Sequence, residues 1–395
     1  MSATLDRPPR SLAAASFVSC FDRFAVTPML VLIAVDLDVP LATAVAVASG
    51  YYLAYGLVQP LWGVLSDRFG RVRVMRAALL GAAVTGLVSA LMPVLGALVV
   101  SRVAAGACFG AVVPTSLTYV GDTVQQSVRQ RALSDLMGVM SLGTALATGF
   151  GGLLGDLAGW RPVFVVPAVC ALACAVALRA LPEPPRSGPA PGRGGHVGTV
   201  LRSPWALLVF ALAFVEGAVL IGTMAFLATA LQHHGVSTTV AGLCAAAYGL
   251  GVWLFTRLVK RLSRGWPAWW LIAAGGAQMC AGYVVVAAGV SVVTVTVTAL
   301  LLGGGWSFMH SSLQTWVTSV VPQARGTAVA FFASALFVGS AASSWAAGPL
   351  AGDGSYGLLF GLAAAAALPL TVVAALTRRR YGALLPAEGA RGHAQ

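Results

Sequence analysis

The sequence predicts an all-α membrane protein of twelve transmembrane helices in two pseudo-symmetric six-helix bundles. Three observations lead there. Of 395 residues, 58% are hydrophobic and only 9% charged, with a mean hydropathy of +0.86, whereas a soluble domain carries about 25% charged residues. Apolar runs of membrane-crossing length recur along the whole chain. One Pro/Gly-rich stretch, PEPPRSGPAPGRGGHVGTVLRSP, interrupts them halfway. An ordinary soluble protein has no means of burying so much apolar surface, and a disordered chain is rich in charge instead. Both classes are excluded.

A hydrocarbon core of roughly 30 Å takes about 20 apolar helical residues. On that measure the spans fall near 11–34, 43–65, 77–94, 96–120, 132–155, 161–181, 204–231, 238–259, 268–289, 292–319, 327–350 and 355–376. Strands would need an alternating pattern and a closed barrel. The first run, behind Arg7 and Arg10, imitates a signal peptide. Asp22 and Arg23 interrupt it, so it is read as a retained span.

An even number of spans puts both termini on one side. With that side taken as the cytoplasm, 21 of the 24 basic residues are cytoplasmic. Arg68, Arg71, Arg73 and Arg76 fall between the second and third spans. Arg257, Lys260, Arg261 and Arg264 fall between the eighth and ninth, and Arg378, Arg379 and Arg380 follow the last. Arg161 alone is outside, with Asp36, Asp38, Asp156 and Asp353, while Arg23 and Arg102 lie within spans. This positive-inside pattern predicts a multi-pass protein of the cell inner (plasma) membrane with both termini cytoplasmic. The net charge of +12 is then an orientation signal in a lipid bilayer. No basic stripe interleaved with aromatics points to nucleic acid.

Residues 1–181 read as an N-terminal six-helix bundle and 182–203 as a flexible, non-helical cytoplasmic linker. Residues 204–377 read as a C-terminal bundle, followed by a cytoplasmic tail over 378–395. The halves echo one another at an offset near 194: Tyr55-Gly56-Leu57 recurs as Tyr248-Gly249-Leu250, Asp22 aligns with Glu216, and Arg131 with Arg325. A duplicated six-span unit implies two bundles rocking about a site between them. That favours a transporter over a channel or a membrane enzyme.

The stretch GVLSDRFGRVRVMR, Gly63 to Arg76, closes the second span and fills the following loop. It resembles the signature of the major facilitator superfamily. Arg102-x-x-x-Gly106, Gly159-Trp160-Arg161 and Leu181-Pro182-Glu183 are similar to further motifs of that family, and the resemblance covers the whole chain. It implies the major facilitator fold, alternating access, and a latch on the cytoplasmic gate built from Gly63, Asp67, Arg68, Gly70, Arg71 and Asp122. The chemistry of those residues suits the role. Gly63 and Gly70 permit close helix approach and a tight turn. Asp67 is placed to meet the positive N-terminus of the eleventh span near Gly326, and Arg71 to bind Asp67 or Asp122. In the second half Lys260 aligns with Asp67 and Ser263 with Gly70, so the latch is expected to be asymmetric.

The fifth span, GTALATGFGGLLGDLAGW, is similar to the glycine pattern of drug:proton antiporters in Gly143, Gly151 and Gly152. It carries Ala147 and Thr148 where that pattern has Gly-Pro. Gly149-x-Gly151-x-x-x-Gly155 follows no strand and reads as helix packing, not as a nucleotide fingerprint. No Walker-type loop occurs, so ATP drive by this chain alone is not expected.

Ionisable groups at membrane depth cost about 2.5–3.5 kcal/mol each on insertion scales and are functional candidates by default. Asp22 lies roughly 16 Å into its span, near the midplane, and Glu216 is equally deep. With Arg23 and Arg102 as counter-charges, they are the candidates for proton coupling in a central cavity. The competing reading of Asp22 is a salt bridge to Arg102 within the first half.

Tyr52, Tyr55 and Gln59 are spaced i, i+3, i+7, and Trp306, Ser307, His310 and Gln314 form a second stripe. Both suit the lining of a cavity for an amphipathic small-molecule substrate, with helix packing as the alternative. His310 either titrates or holds a structural hydrogen bond. Adjacent His233-His234 lack metal-site spacing. Cys20, Cys108, Cys170, Cys174, Cys244 and Cys280 lie in apolar runs and are expected as free thiols. No metal and no cofactor are expected.

The expected function is secondary active transport, as proton-coupled export of a small amphipathic drug or metabolite by a monomer. Import of a metabolite by a proton symporter or facilitator is the alternative, and a lipid flippase a variant. A membrane enzyme using Asp22, Glu216 and His310 as acid and base lacks a nucleophile–base arrangement.

Overall fold

The structure, a computed structural model, describes residues 7–184 and 193–384. Eleven helices in it are long and apolar enough to cross a membrane, and a bent pair makes a twelfth span. In chain order they are α1 (Arg10–Asp36), α2 (Leu41–Leu57 with Gln59–Phe69), α3 (Arg71–Leu91), α4 (Leu95–Thr123), α5 (Gln126–Ala158) and α6 (Arg161–Ala180). The second half comprises α7 (Pro204–His233), α8 (Thr238–Leu262), α9 (Ala268–Ala288), α10 (Val292–Val320), α11 (Pro322–Gly352) and α12 (Tyr356–Leu384). All six cysteines are free.

Packing repeats between the halves. In the first, α1 pairs with α5, α2 with α4 and α3 with α6; in the second, α7 pairs with α11, α8 with α10 and α9 with α12. Across the halves α5 packs on α8 and α2 on α11. The repeated Tyr-Gly-Leu triplets mark these two seams. A Cβ on Gly56 of α2 would lie 2.8 Å from Phe337 Cβ of α11, and one on Gly249 of α8 would lie 2.7 Å from Ala145 Cα of α5. Only a residue without a side chain permits either approach.

The breaks in α1 and α2 have a common cause. Proline removes a backbone donor and frees the carbonyl four residues before it. Pro60 frees the Gly56 carbonyl at the 48° bend of α2, and the Ser334 hydroxyl of α11 donates to it at 2.8 Å. Pro28 frees the Phe24 carbonyl at the 3₁₀ turn Thr27–Met29, and the Thr27 hydroxyl takes it at 2.6 Å. The α2 bend falls at Val58, so Gln59 lies beyond the break and Tyr52 and Tyr55 before it.

Two expectations are corrected. The linker is not wholly non-helical: Arg193–Leu201 form a helix, whose Val200 is buried where the segment meets α7 and the start of α11. Val200 is the apolar anchor of this short helix; Val197 and Leu201 stay exposed. The helix of the last span also runs on through Arg378, Arg379 and Arg380 to Leu384, so the arginines follow the apolar run without leaving the helix. Residues 185–192 of the linker and 385–395 of the tail lie outside the described residues.

Candidate functional site

The chain ends of the described structure share one face of the bundle with the α2–α3 and α8–α9 loops; this is the termini face, and the opposite one the far face. Midway between them, each half holds one buried carboxylate. In the second half Glu216 of α7 is fully buried, and its Oε2 lies 3.2 Å from Nδ1 of His310 on α10. Glu216 Oε1 has no hydrogen-bond partner. The His310 ring stacks on Trp306, one helical turn earlier, with centroids 3.7 Å apart, and faces Phe332 of α11 at 5.4 Å.

Both helices are locally π-helical at this place, over Ala218–Gly222 and Trp306–His310. A π turn inserts an extra residue, re-aims the side chains beside it and misaligns carbonyls, a distortion frequent at functional sites. Neighbouring helices take up those carbonyls. Ser340 and Ser344 of α11 donate to Gly217 and Gly222 at 3.0 Å each, and the Tyr283 hydroxyl of α9 donates to Val219. Gln314 lies a turn beyond the distortion and is only partly buried.

In the first half Asp22 is bound end-on by Arg102 of α4. Nη1 donates to Oδ1 at 3.1 Å and Nη2 to Oδ2 at 2.9 Å, with side chains 0% and 1% exposed. Tyr51 and Phe164 face the Arg102 guanidinium at 4.7 and 4.6 Å. The two carboxylates therefore occupy separate pairs within their own halves and do not share one cavity.

Arg23, next in sequence, points instead to the seam between the halves. Its guanidinium lies 4.6 Å from the Tyr55 ring of α2, 5.5 Å from Phe24 and 5.1 Å from Phe337 of α11. Tyr55 and Phe337 are themselves in contact, with centroids 4.5 Å apart, and Tyr52 stands behind them at 6.5 Å from Phe337. Between the halves, Phe24, Thr27, Thr144 and Thr148 face Met224, Ala228, Ala245 and Tyr248 around a cavity of about 10 Å³. That is room for about one water.

The far face is sealed across the seam. Asp156, near the end of α5, caps the first turn of α8: it accepts from Thr238 N at 3.2 Å, Thr239 N at 2.7 Å and the Thr239 hydroxyl at 2.6 Å. Gln232 of α7 donates to the Pro28 carbonyl at 2.9 Å. Arg161, the one arginine or lysine of this face among the described residues, pairs with Asp36 at 2.7 Å, which also accepts from Trp160 at 3.0 Å.

At the termini face Arg71 pairs with Asp67, donates to Asp122 at 3.1 Å and to the Ser66 hydroxyl at 2.8 Å. Both acceptors read as alternatives from the sequence are thus engaged together. Gly70 makes the turn into α3 at φ +105°. Glu183, just past α6, accepts from the amides of Val72 and Arg73 at 3.1 and 3.3 Å and so caps the start of α3, where a carboxylate is favoured. A side chain on Gly70 would collide with it at 2.6 Å. Arg68 and Gly63 stay outside this network: Arg68 lies over Phe69, and nothing stands within 4 Å of a Cβ on Gly63. Glu183 and Asp156 were not among the expected site residues. The signal for Glu183 was its motif, Leu181-Pro182-Glu183; Asp156 read only as an outer-side charge.

The profile of the Major Facilitator Superfamily matches residues 12–344. The chain belongs to that superfamily. A superfamily-type transporter of Bacillus subtilis, itself uncharacterized, is 25% identical over 240 residues, 58% of each chain. A triacylglyceride transporter of Mycobacteroides abscessus is 36% identical over 30% of this chain and 24% of its own. A tetracenomycin C resistance and export protein of Streptomyces glaucescens is 32% identical over 42% of this chain and 31% of its own. The chain thus spans at most 58% of the length of these relatives. Among major facilitator structures, that of a D-xylose–proton symporter matches with a TM-score of 0.78 over 93% of this chain and 96% of that one, at 16% identity, which shows a shared fold.

Proposed function

We propose that this superfamily member is a proton-coupled exporter of a small amphipathic compound, working by alternating access with both termini in the cytoplasm. The Glu216–His310 pair takes up and releases the proton. The observation that carries this reading is a fully buried carboxylate with one oxygen on a histidine and the other unpartnered. Together the two groups hold one proton at no net charge. Losing it leaves an uncompensated charge in a dry site, which is strongly unfavourable, so release awaits a rearrangement that admits water or another partner. Export is supported by the role of the Streptomyces glaucescens relative, a resistance and export protein, and by the glycine pattern of α5. The positive-inside pattern supports a cytoplasmic termini face, and on that reading the sealed far face is the outer gate. Asp22 and Arg102 serve here as a positioning pair for α1, not as the proton carrier.

Transport by the purified protein in vesicles with an imposed pH gradient tests this, over a panel of cationic, neutral and anionic compounds. Glu216→Gln is expected to lose gradient-driven accumulation by about tenfold or more, while exchange without a gradient continues. Full gradient dependence in Glu216→Gln overturns the assignment. Accumulation in the same direction as proton flow replaces export with symport.

A further inference from the structure

Arg23 is a buried cation without a counter-ion. Its side chain is 8% exposed, and among the described residues no carboxylate lies within ion-pair distance of it. Asp22, its neighbour, is wholly engaged by Arg102, and Glu216 is held by His310. Of the five guanidinium N–H donors, Nη2 reaches only the weak sulfur acceptor of Cys20, at 3.5 Å, and Nε has no partner. What compensates the charge is aromatic: Tyr55 and Phe24 from the first half and Phe337 from the second. Three such contacts, at about 0.5–2 kcal/mol each, offset much of the several kcal/mol that desolvating an ion costs, but they supply no acceptor for the Nε donor.

The position sharpens the point. Phe337 is on α11, across the seam, so rocking of the halves removes part of the aromatic cover and presents the guanidinium to whatever enters. A planar, permanently charged fork is suited to bidentate binding of an oxyanion. The flat rings beside it suit an aromatic or otherwise flat apolar body.

We propose that Arg23 is the recognition group for an anionic head on the transported compound, a carboxylate, sulfonate or phosphate monoester carried on a flat apolar body that packs against Tyr55 and Phe337. The substrate class is then an amphipathic organic anion, and lipophilic cations are rejected by the same charge. This deepens the transport reading above and rests on it for the route of the compound, but the binding step needs no gradient and is separately measurable.

The test is a thermal-shift titration of the purified full-length protein with matched probes. They are 2-naphthoate, 2-naphthalenesulfonate and 2-naphthyl phosphate, the neutral 2-naphthamide, and the cationic 2-naphthylmethylammonium. At least one anion is expected to stabilise the protein where amide and ammonium do not. Arg23→Gln is expected to weaken that anion roughly ten- to hundredfold, the loss of charge-assisted hydrogen bonds, and Arg23→Lys to weaken it less. The titration is made without a pH gradient, so its outcome is read separately from that of the proton-coupled transport assay. Stabilisation by amide or ammonium equal to that of the anions overturns the proposal. So does anion binding unchanged in Arg23→Gln, or no shift with any of the three anions. Arg23→Gln removes a buried charge without adding volume, and its elution as a single monodisperse species controls for folding.

Discussion

Arg102→Met is expected to destabilise the protein by about 3–5 kcal/mol, because it strands a buried carboxylate. Asp22 is 1% exposed, and both of its oxygens are bound by Arg102; with the guanidinium gone, both oxygens lose these partners. The desolvation cost of the pair is already met in the native state, so the penalty arises from breaking it, not from the strength of the bond itself. The double variant Asp22→Leu/Arg102→Met is accordingly expected to recover most of the loss, since apolar side chains of similar volume often substitute for a buried ion pair at little cost. The unfolding midpoints of the three variants, measured in one detergent, check this. A drop for Arg102→Met within the scatter of surface variants, about 0.5 kcal/mol, contradicts it. Transport by the double variant then separates positioning from chemistry. A stable double variant that still shows transport driven by a proton gradient confines Asp22 and Arg102 to holding α1 against α4.

What the sequence made legible, and what it did not, divides along the range of the forces involved. The spans were readable because each is a local composition. The Asp67–Arg71 pair lies within a single helical turn of sequence, and its glycine turn at Gly70 is equally local. Asp22–Arg102 was readable as one of two alternatives because few buried charges are available to pair. Glu216 and His310 were each singled out but not joined. They are 94 residues apart, and the π turns that aim them at each other leave no trace in a 3.6-residue periodicity. The same distortions explain why the stripe Trp306, His310, Gln314 does not stay together. Pro60 was a signal available but unused, since a proline inside a span implies a freed carbonyl at Gly56 and hence a partner such as Ser334. The linker helix was missed because proline and glycine dominate its composition, whereas its single buried anchor, Val200, acts only once α7 and the start of α11 are there to cover it. The Tyr-Gly-Leu repeat was visible as duplication. Its physical content, two seams held at backbone distance, needed both halves in place.

Those seams support the last prediction, that Gly242→Leu abolishes transport by preventing closure of the far face. Gly242 of α8 meets the Thr148 carbonyl of α5, and a Cβ there would also lie 3.1 Å from Gly152 Cα. These neighbours are backbone and have no flexible end to move aside, so a leucine forces the helices apart where they must touch. Overpacking of this kind typically costs about 1–3 kcal/mol in a core that relaxes; here relaxation is available through the alternating-access motion itself. The cost is then expressed as a shift toward the far-open state and not as unfolding. Asp156→Ala acts on the same seam by a polar route. It removes the cap on α8 that Thr238 and Thr239 donate to, worth about 0.5–2 kcal/mol for an exposed cap, and is expected to shift the two states by roughly two- to thirtyfold without abolishing transport. Spin labels at Leu157 and Val240, both exposed at the far face, report the separation directly. Gly242→Leu is expected to give the longer distance almost exclusively, Gly242→Ala and Asp156→Ala a mixture. A short distance in Gly242→Leu, with transport intact, means that the α5–α8 contact is not the outer gate. If the distance is short but transport is lost, the glycine serves the substrate path instead.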